Sequence, residues 1–386
     1  MEHPQELVIS VFKENFKEEP IVICSPGRVN LIGEHTDYNM GFVLPAAINK
    51  GIYIAISKRN DNEIHLIAAD LDDTHITNIA DYAYSEAGWP NFVLGVVDQI
   101  LKTGRKFNGF NAVISGDVPL GAGMSSSAAM ECAVAFSLNH IYDLGLEKIE
   151  IVKIAQKAEN EFVGLQCGIM DQFASVFGKE NHVIKLDCRS LEYEYVPFEL
   201  EGIKIVLFDS MVKHSLGSSE YNVRRSQCEE GVSIISQNYP NVKSLRDATI
   251  EMVEECLQDT SADIYNRCKY VVEENNRLVN ACKDLEAKNI AAFGQKMYET
   301  HQGLSELYEV SCPELDFIAN TAKKEPGILG ARMMGGGFGG CVIALVKETE
   351  MDGIIKRMKD AYFKKWDIGM NVYITQIQDG TRVVKG

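Results

Sequence analysis

A segment rich in glycine and serine, residues 121–129, is the part of this chain best suited to bind an anion; it reads GAGMSSSAA. The apolar alternation at Phe110–Ser115 predicts a strand before it, and helical spacing predicts a helix over Ser126–Tyr142 after it. A turn that opens a helix leaves backbone N–H groups unpaired at the positive end of the helix dipole. Small residues let a phosphate approach those amides, and the serines can cap the helix or contact the phosphate or its metal. The alternative is an ordinary capped start of a helix.

A second group of candidate residues follows the predicted strand Ile21–Cys24. Here Arg28, Glu34, His35 and Asp37 fall within ten residues. Polar side chains this dense beside buried strands are costly unless they bind a ligand or one another. Carboxylates and an imidazole can hydrogen-bond to vicinal hydroxyls, so a sugar is a natural ligand. A structural turn closed by salt bridges is the alternative.

A second glycine-rich segment, residues 335–340, reads GGGFGG and precedes the predicted strand Cys341–Val346. Five glycines in six positions carry a large cost in chain entropy if they serve only as a linker. They are useful where the backbone must approach a ligand or another backbone closely. A flexible hinge is the alternative.

Asp171 is a further candidate, because it follows a predicted helix at Glu150–Val163 and lies close in sequence to Gly168. A carboxylate in such a turn can be presented to a substrate hydroxyl. A solvated aspartate at the end of a helix is the alternative.

The elements that position these residues predict an α+β protein in two parts, because strands dominate the first half and long helices the second. The remaining predicted strands are Tyr53–Ser57, Ile64–Ala68, Val183–Leu186, Lys204–Phe208 and Asn371–Ile377. The remaining predicted helices are Ser219–Gln237, Ile264–Leu285, Asn289–Leu304, Glu314–Lys324 and Asp352–Phe363. The polar, glycine-bearing connection at residues 199–202 predicts a boundary between domains at 1–200 and 201–386.

The composition bounds the partners that the protein can have. With 38 basic and 55 acidic residues the formal net charge is −17, which argues against broad binding to nucleic acid or to acidic lipid. A local nest of amides with one metal ion is still sufficient to bind a single nucleotide. We expect no nucleic-acid partner, no membrane partner and a monomer.

The cysteines and the N-terminus predict a cytoplasmic protein. The ten cysteines are scattered, with no C-x-x-C pair and no zinc-ligand spacing, as is typical of free thiols in a reducing compartment. The first residues, MEHPQE, are polar and acidic and do not read as a signal peptide. No apolar run is long enough to span a bilayer.

Taken together, these segments resemble the galactokinases of the GHMP small-molecule kinase superfamily, from the strand at Ile21 to the strand near Ile377. Residues 27–39 are similar to the galactokinase signature, and residues 218–225 resemble a further galactokinase stretch. Residues 119–129 and 335–340 resemble the phosphate loop and the glycine-rich motif of the superfamily. The resemblance implies a two-domain GHMP-kinase-like α+β fold, with ATP and a sugar bound in the cleft between the domains.

The resemblance also implies roles for individual residues. Galactose would be bound by Glu34, His35, Asp37, Gly168, Asp171 and Tyr221. The ATP phosphates would be wrapped by Gly121, Ala122, Gly123, Met124, Ser125, Ser126 and Ser127, with Trp89 near the adenine. Ser127 and Glu159 would bind Mg²⁺. Arg28 and Asp171 would be catalytic, with Arg28 beside the transferred phosphate and Asp171 accepting the proton of the sugar.

The implied reaction is ATP-dependent phosphorylation of the anomeric hydroxyl of α-D-galactose to galactose 1-phosphate, the first committed step of galactose catabolism. A kinase for a related sugar, N-acetylgalactosamine or arabinose, and a non-catalytic sensor of galactose and ATP are the alternatives. The intact Ser127-Ala128 pair, which such sensors lose, favours an enzyme.

Some positions depart from the usual family pattern. Met124 replaces a leucine, a swap that conserves volume. Leu165-Gln166 replaces a pair that often ends in proline, which leaves the loop before Asp171 less rigid, and Lys213 stands where some relatives have arginine.

Overall fold

Strands in the described part of the chain form three sheets, and helices cover the two larger ones. A computed structural model describes residues 2–119, 121–198, 200–212 and 217–385. The helices are α1 Pro4–Phe16, α2 Pro90–Lys102, α3 Ser126–Tyr142, α4 Lys148–Lys157, α5 Met170–Phe177, α6 Gly217–Asn238, α7 Ile250–Leu257, α8 Ala262–Glu286, α9 Ile290–Glu306, α10 Pro313–Ala322 and α11 Met351–Trp366. The strands are β1 Ile21–Asn30, β2 Phe42–Val43, β3 Pro45–Lys58, β4 Glu63–Ala68, β5 Asp73–Asn78, β6 Phe110–Gly116, β7 His182–Asp187, β8 Tyr193–Pro197, β9 Ile203–Asp209, β10 Ile328–Met333, β11 Cys341–Lys347, β12 Asn371–Thr375 and β13 Arg382–Lys385.

The first sheet has the order β13-β1-β3-β6-β4-β5, and only its β4–β6 pair is parallel. Both of its faces are covered. Val22 of β1 packs with Val8 and Phe12 of α1, whereas Ile23 belongs to the large core on the other face. Because successive side chains point to opposite faces, β1 is a continuous apolar run where it enters the sheet. Its far end carries the polar residues of the site.

The second sheet has the order β10-β11-β9-β12 and is also buried on both faces. Val206 and Phe208 of β9 belong to the core formed with the C-terminal helices. Ile205 and Leu207, on the opposite face, belong to the core that is continuous with the first sheet. This shared core fixes the two halves against each other, and the third sheet, β2-β7-β8, lies within the N-terminal half.

The α+β class predicted from the sequence is confirmed, and helix α3 has the bounds that were predicted for it. The predicted helix over Glu150–Val163 is α4 followed by a π-helical segment, Ala158–Val163. Helices α1, α2, α5 and α7 were not predicted. No described helix combines the length and apolar character needed to cross a membrane.

The predicted domain boundary near residue 200 falls between β8 of the third sheet and β9 of the second. The last strand, β13, pairs with β1, so the end of the chain returns to the first sheet. The sequence before the glycine-rich segment contains strand β10, which was not among the predicted strands.

Candidate active site

A cavity of about 250 Å³ lies where the end of β1, the start of α5, the start of α6 and the glycine-rich segment meet. The sugar-binding residues implied by the resemblance all line it, together with Arg28 and Glu159: Glu34, His35, Asp37, Gly168, Asp171 and Tyr221. Residues separated by nearly two hundred positions in the chain therefore face one volume. This arrangement favours a binding site over a structural turn at residues 28–37.

Arg28 connects the cavity to the phosphate turn, which we define as residues 121–127. Its Nε and Nη2 donate to the two carboxylate oxygens of Asp171, both over 2.8 Å, and its Nη1 donates to the carbonyl of Gly123 over 2.5 Å. Arg28 is only 4% exposed. Burial opposes its charge, but Asp171 and Glu34 outweigh burial and raise the pKa of the guanidinium. A fixed positive charge thus lies between the turn and the carboxylate.

Asp171 lies in the first turn of α5, not in a glycine turn after a helix as predicted. Because the N-terminus of a helix favours negative charge, this position suits an ionised carboxylate. Ser125 donates its hydroxyl proton to Oδ2 of Asp171. With two donors from Arg28 as well, the carboxylate is fixed in orientation toward the cavity.

The phosphate turn has the backbone of an anion-binding loop. Gly121, Gly123 and Ser125 have φ angles of 76°, 77° and 58°, in the left-handed region. Ser125 is the N-cap of α3, but its side chain makes no capping bond and contacts Asp171 instead. The expectation that the serines cap the helix is therefore wrong for this residue, and its hydroxyl belongs to the site.

The glycines at 335–340 let one backbone approach others, as predicted. A Cβ on Gly337 would lie 2.1 Å from the carbonyl oxygen of Val310, and one on Gly335 would lie 3.4 Å from Cα of Gly123. The segment thus packs directly on the phosphate turn. Close packing explains the glycines better than a hinge does.

Ser127 and Glu159 lie together, as a shared metal site requires. The Ser127 hydroxyl donates to Oε1 of Glu159 over 2.9 Å, and Oε2 accepts from Gln172 over 2.7 Å and from the thiol of Cys167. Burial, and secondarily Asp171, raises the pKa of Glu159. A hydroxyl and one carboxylate are oxygen ligands of the kind Mg²⁺ takes when phosphates and water complete its shell. No group of three or more His, Cys, Asp or Glu suited to a metal occurs among the described residues.

Glu34 is oriented by a residue that the sequence reasoning missed. Arg332, at the end of β10, is fully buried and donates from Nη2 to Oε2 of Glu34 over 2.6 Å. It also donates to the backbone carbonyl groups of Asn30 and Leu31. The sequence did contain a signal for this role, because Arg332 stands within an otherwise apolar segment and a buried arginine needs a partner. The second sheet thus fixes residues 30–34, where β1 of the first sheet ends.

Asp37 and Gly168 are in direct contact, which explains the glycine. A Cβ on Gly168 would lie 1.7 Å from Oδ2 of Asp37, so no larger residue fits there. Burial, with Asp171 as the next cause, raises the pKa of Asp37 to about 7. Asp37 therefore titrates near neutral pH in the free protein.

Trp89 and Lys213 are not brought to the cavity in what the structure describes. Trp89 begins α2, and its indole N–H donates to Asp73 over 2.8 Å. It does not line the cavity, and its contact with adenine stays a prediction. Lys213 lies outside the described residues.

Comparison with known proteins agrees with this geometry. The family model "Galactokinase galactose-binding signature" matches residues 10–58, and the GHMP kinase N-terminal and C-terminal domain models match residues 91–179 and 281–365. A galactokinase of Roseiflexus sp. is 38% identical over 96% of this chain and 94% of its own length. A galactokinase of Thermotoga maritima is 40% identical over 94% of this chain and 99% of its own length. The chain belongs to the galactokinase family.

Solved structures place the enzyme in the same family. The crystal structure of Lactococcus lactis galactokinase complexed with galactose has a TM-score of 0.94 and 34% identity, covering 97% of this chain and 98% of that one. The mevalonate kinase of Methanococcus jannaschii has a TM-score of 0.66 at 20% identity, covering 94% of this chain and all of that one, so it shares the fold. The enzyme is therefore a kinase of the GHMP fold.

Proposed function

We propose that the enzyme transfers the γ-phosphoryl group of ATP to the anomeric hydroxyl of α-D-galactose, giving galactose 1-phosphate and ADP. The observation that carries this proposal is the position of Arg28, which contacts both the carboxylate in the cavity and the phosphate turn. A donor nucleotide on the turn and an acceptor sugar in the cavity would then meet at one charged pair. The galactokinase relatives, and the galactose bound by the Lactococcus lactis structure, support the choice of sugar.

In this proposal the side chains that line the cavity recognise the sugar through hydrogen bonds and ring contacts. Glu34 and Asp37 accept hydrogen bonds from sugar hydroxyls, and His35 offers one ring nitrogen to the cavity. Tyr221 of α6 packs beside His35, with ring centroids 5.4 Å apart, and closes one side. Gly168 leaves room for Asp37, because a Cβ at position 168 would clash with its carboxylate.

Asp171 accepts the proton of the attacking hydroxyl. As the anomeric oxygen bonds to the γ-phosphorus, the bond from phosphorus to the bridging oxygen of ADP breaks, and the proton passes to the carboxylate. Arg28 stabilises the charge on the transferring group, and Ser125 keeps the carboxylate oriented. A positioned base of this kind contributes roughly a hundredfold to ten-thousandfold to the rate.

Residues 121–127 would bind the ATP phosphates through backbone amides, and Trp89 would lie near the adenine. Ser127 and Glu159 would bind Mg²⁺, whose charge offsets that of the phosphates when it is bound. We further propose a monomer without nucleic-acid or membrane partners. A cytoplasmic location is supported by the ten cysteines, all of which are unpaired thiols.

An assay of ADP release over a panel of sugars tests the proposal. We expect galactose to be used and glucose to be used far less. The two sugars differ only in the direction of the 4-hydroxyl, and in glucose this hydroxyl would point away from its hydrogen-bond partner in the cavity. N-acetylgalactosamine and arabinose belong in the panel as acceptors for the related kinases. ADP release that is fastest with either of these would replace the proposed substrate, and galactose binding without ADP release would indicate a sensor.

A further inference from the structure

A chain of hydroxyl and thiol groups leads to the imidazole of His35 from the core that the second sheet forms with the C-terminal helices. The Sγ of Cys228 is 3.3 Å from the hydroxyl of Tyr308. That hydroxyl is 2.8 Å from the hydroxyl of Tyr38, which in turn is 2.8 Å from Nδ1 of His35. Cys228 and Tyr308 are completely buried, so water does not compete for the contact between them.

The chemistry of sulfur sets the direction in which the protons point. A thiol is a weak donor and a poor acceptor, so the Tyr308 hydroxyl donates to the oxygen of Tyr38 and not to Cys228. The Tyr38 proton is then directed to Nδ1 of His35, which acts as the acceptor. Burial raises the pKa of Cys228 to about 11, so the thiol keeps its proton and donates to Tyr308.

The imidazole of His35 is neutral, so it carries one proton, and that proton can lie on either ring nitrogen. Burial, followed by the charge of Arg224, lowers the pKa of His35 to about 3. A neutral imidazole has one N–H donor and one bare acceptor nitrogen. The second nitrogen, Nε2, is buried and forms no hydrogen bond of normal length with the described residues. His35 lines the cavity together with Gly336, whose backbone acts on the imidazole as a hydrogen-bond partner and opposes the lowering of its pKa. Its backbone is left-handed, with φ of 62°, a strained conformation of the kind found at binding sites.

We propose that the Cys228–Tyr308–Tyr38 chain fixes His35 in the tautomer with its proton on Nε2, so that the ring donates a hydrogen bond to a sugar oxygen. Tyr38 is then a positioning residue, since it acts on the sugar only through His35. The identity of the sugar rests on the proposed function, whereas the tautomer is a property of the free enzyme. The site therefore selects sugars that have a hydrogen-bond acceptor at the position facing Nε2.

Nitrogen NMR of the free full-length enzyme labelled with ¹⁵N-histidine tests the tautomer directly. We expect the His35 resonances, assigned with His35→Gln, to show a protonated Nε2 and a bare, hydrogen-bonded Nδ1. In Tyr38→Phe the Nδ1 resonance should move toward the position of an unbonded nitrogen. In Tyr308→Phe the hydroxyl of Tyr38 is no longer directed by a donor, so a fraction of the His35 rings should carry the proton on Nδ1. A protonated Nδ1 in the wild type, or an Nδ1 resonance unmoved in Tyr38→Phe, overturns the proposal.

Steady-state kinetics test the consequence for the sugar. Loss of the donor to Nδ1 should raise the KM for galactose about tenfold in Tyr38→Phe, with kcat nearly unchanged. Tyr362→Phe is the matched control, because Tyr362 is a buried tyrosine whose hydroxyl donates to the carbonyl of Ser210 over 2.7 Å, away from the cavity. Equal KM values in the two variants contradict the proposal.

Galactose analogues provide a test that needs no variant. Replacing the hydroxyl that faces Nε2 by fluorine keeps an acceptor, whereas replacing it by hydrogen removes one. At one position of the ring, the wild type should therefore use the fluoro analogue better than the deoxy analogue, and His35→Ala, which removes the donor, should narrow that difference. If no position shows this order, His35 does not donate to the sugar. An enzyme with the Nε2–H tautomer that phosphorylates no galactose would overturn the proposed function and leave the tautomer standing.

Discussion

The sugar-facing segment, residues 30–39, and the phosphate turn, residues 121–127, are built in opposite ways. The first consists of polar groups that are held by partners mostly distant in the chain: Glu34 by Arg332, the backbone amide of Gly33 by Glu274, and His35 by Tyr38, which is itself bonded to Tyr308. The second depends on the absence of side chains, with glycines in left-handed conformations.

Under the proposed function, this difference follows from the ligand that each region would recognise. A hexose presents several hydroxyls whose directions define it, so its site needs side chains held rigidly by their neighbours. A phosphate presents charge and similar oxygens, so backbone amides at the start of a helix are sufficient. Arg28 and Asp171 join the two regions, so a substitution at this pair should reduce turnover the most.

Asp171→Asn should cause the greatest loss, because it removes the acceptor charge and keeps the size of the side chain. We expect kcat to fall roughly a hundredfold to ten-thousandfold, with galactose binding largely retained. Stopped-time assays of galactose 1-phosphate and calorimetry of galactose measure the two quantities. Asp284→Asn, whose carboxylate pairs with Lys296 outside the cavity, is the control. Near-normal turnover in Asp171→Asn rules out the assignment of this residue as the base.

Asp37→Ala should narrow the preference for galactose over glucose. A misdirected 4-hydroxyl leaves the partly buried carboxylate of Asp37 without its partner, and sites of this kind discriminate by up to roughly ten-thousandfold. The ratio of kcat/KM for the two sugars should therefore fall mainly through the loss of galactose use. A ratio equal to that of the wild type would assign the discrimination to Glu34 or Tyr221.

Arg332→Met tests whether the second sheet orients the sugar-facing segment. Breaking a buried ion pair by removing one partner costs about 3–5 kcal/mol of stability, since Glu34 is left buried and unpaired. Urea unfolding should show this loss, together with a higher KM for galactose. Arg357→Met removes a surface ion pair with Glu325 and should cost much less stability. Equal stabilities of the two variants contradict the role given to Arg332.

Galactose affinity should rise with pH through neutrality because of Asp37. Its pKa is raised to about 7 by burial and then by Asp171, with Glu34 adding to the rise and Arg28 opposing it. The carboxylate that accepts from the sugar is thus mostly protonated at pH 6 and mostly ionised at pH 8. His35, with a pKa of about 3, stays neutral over this range. Affinity should increase about tenfold between these pH values, and Asp37→Asn should remove the dependence.

The two regions also differ in how far the sequence predicts them. The phosphate turn and α3 are local, and a glycine turn followed by helical spacing was enough to predict the bounds of α3. The partners of the sugar-facing residues are not local: Arg332 and Glu34 are 298 positions apart, and Tyr38 and Tyr308 are 270 apart. No periodicity relates such pairs.

Some elements were missed for a different physical reason. Helix α1 buries Val8 and Phe12 one turn apart, but its polar start and short length hide that stripe. Strand β10 was not predicted, because glycine and arginine interrupt its apolar residues, although both are buried in the folded chain. The prediction of the α+β class was still correct, because the long helices and the central strands determine that class.

Calorimetry of the two ligands on two variants tests the central comparison most directly. Gly123→Val places a branched side chain at a φ of 77°, with its Cβ 3.2 Å from the carbonyl oxygen of Met334, in the turn that must admit phosphate. We expect it to weaken the binding of MgADP about tenfold or more, since a left-handed backbone alone costs such a residue roughly 1–2 kcal/mol. Galactose binding should be unchanged. Asp37→Ala should do the reverse, losing galactose and keeping MgADP. A folded variant of either kind that loses both ligands equally, or neither, would contradict the separation of the two regions.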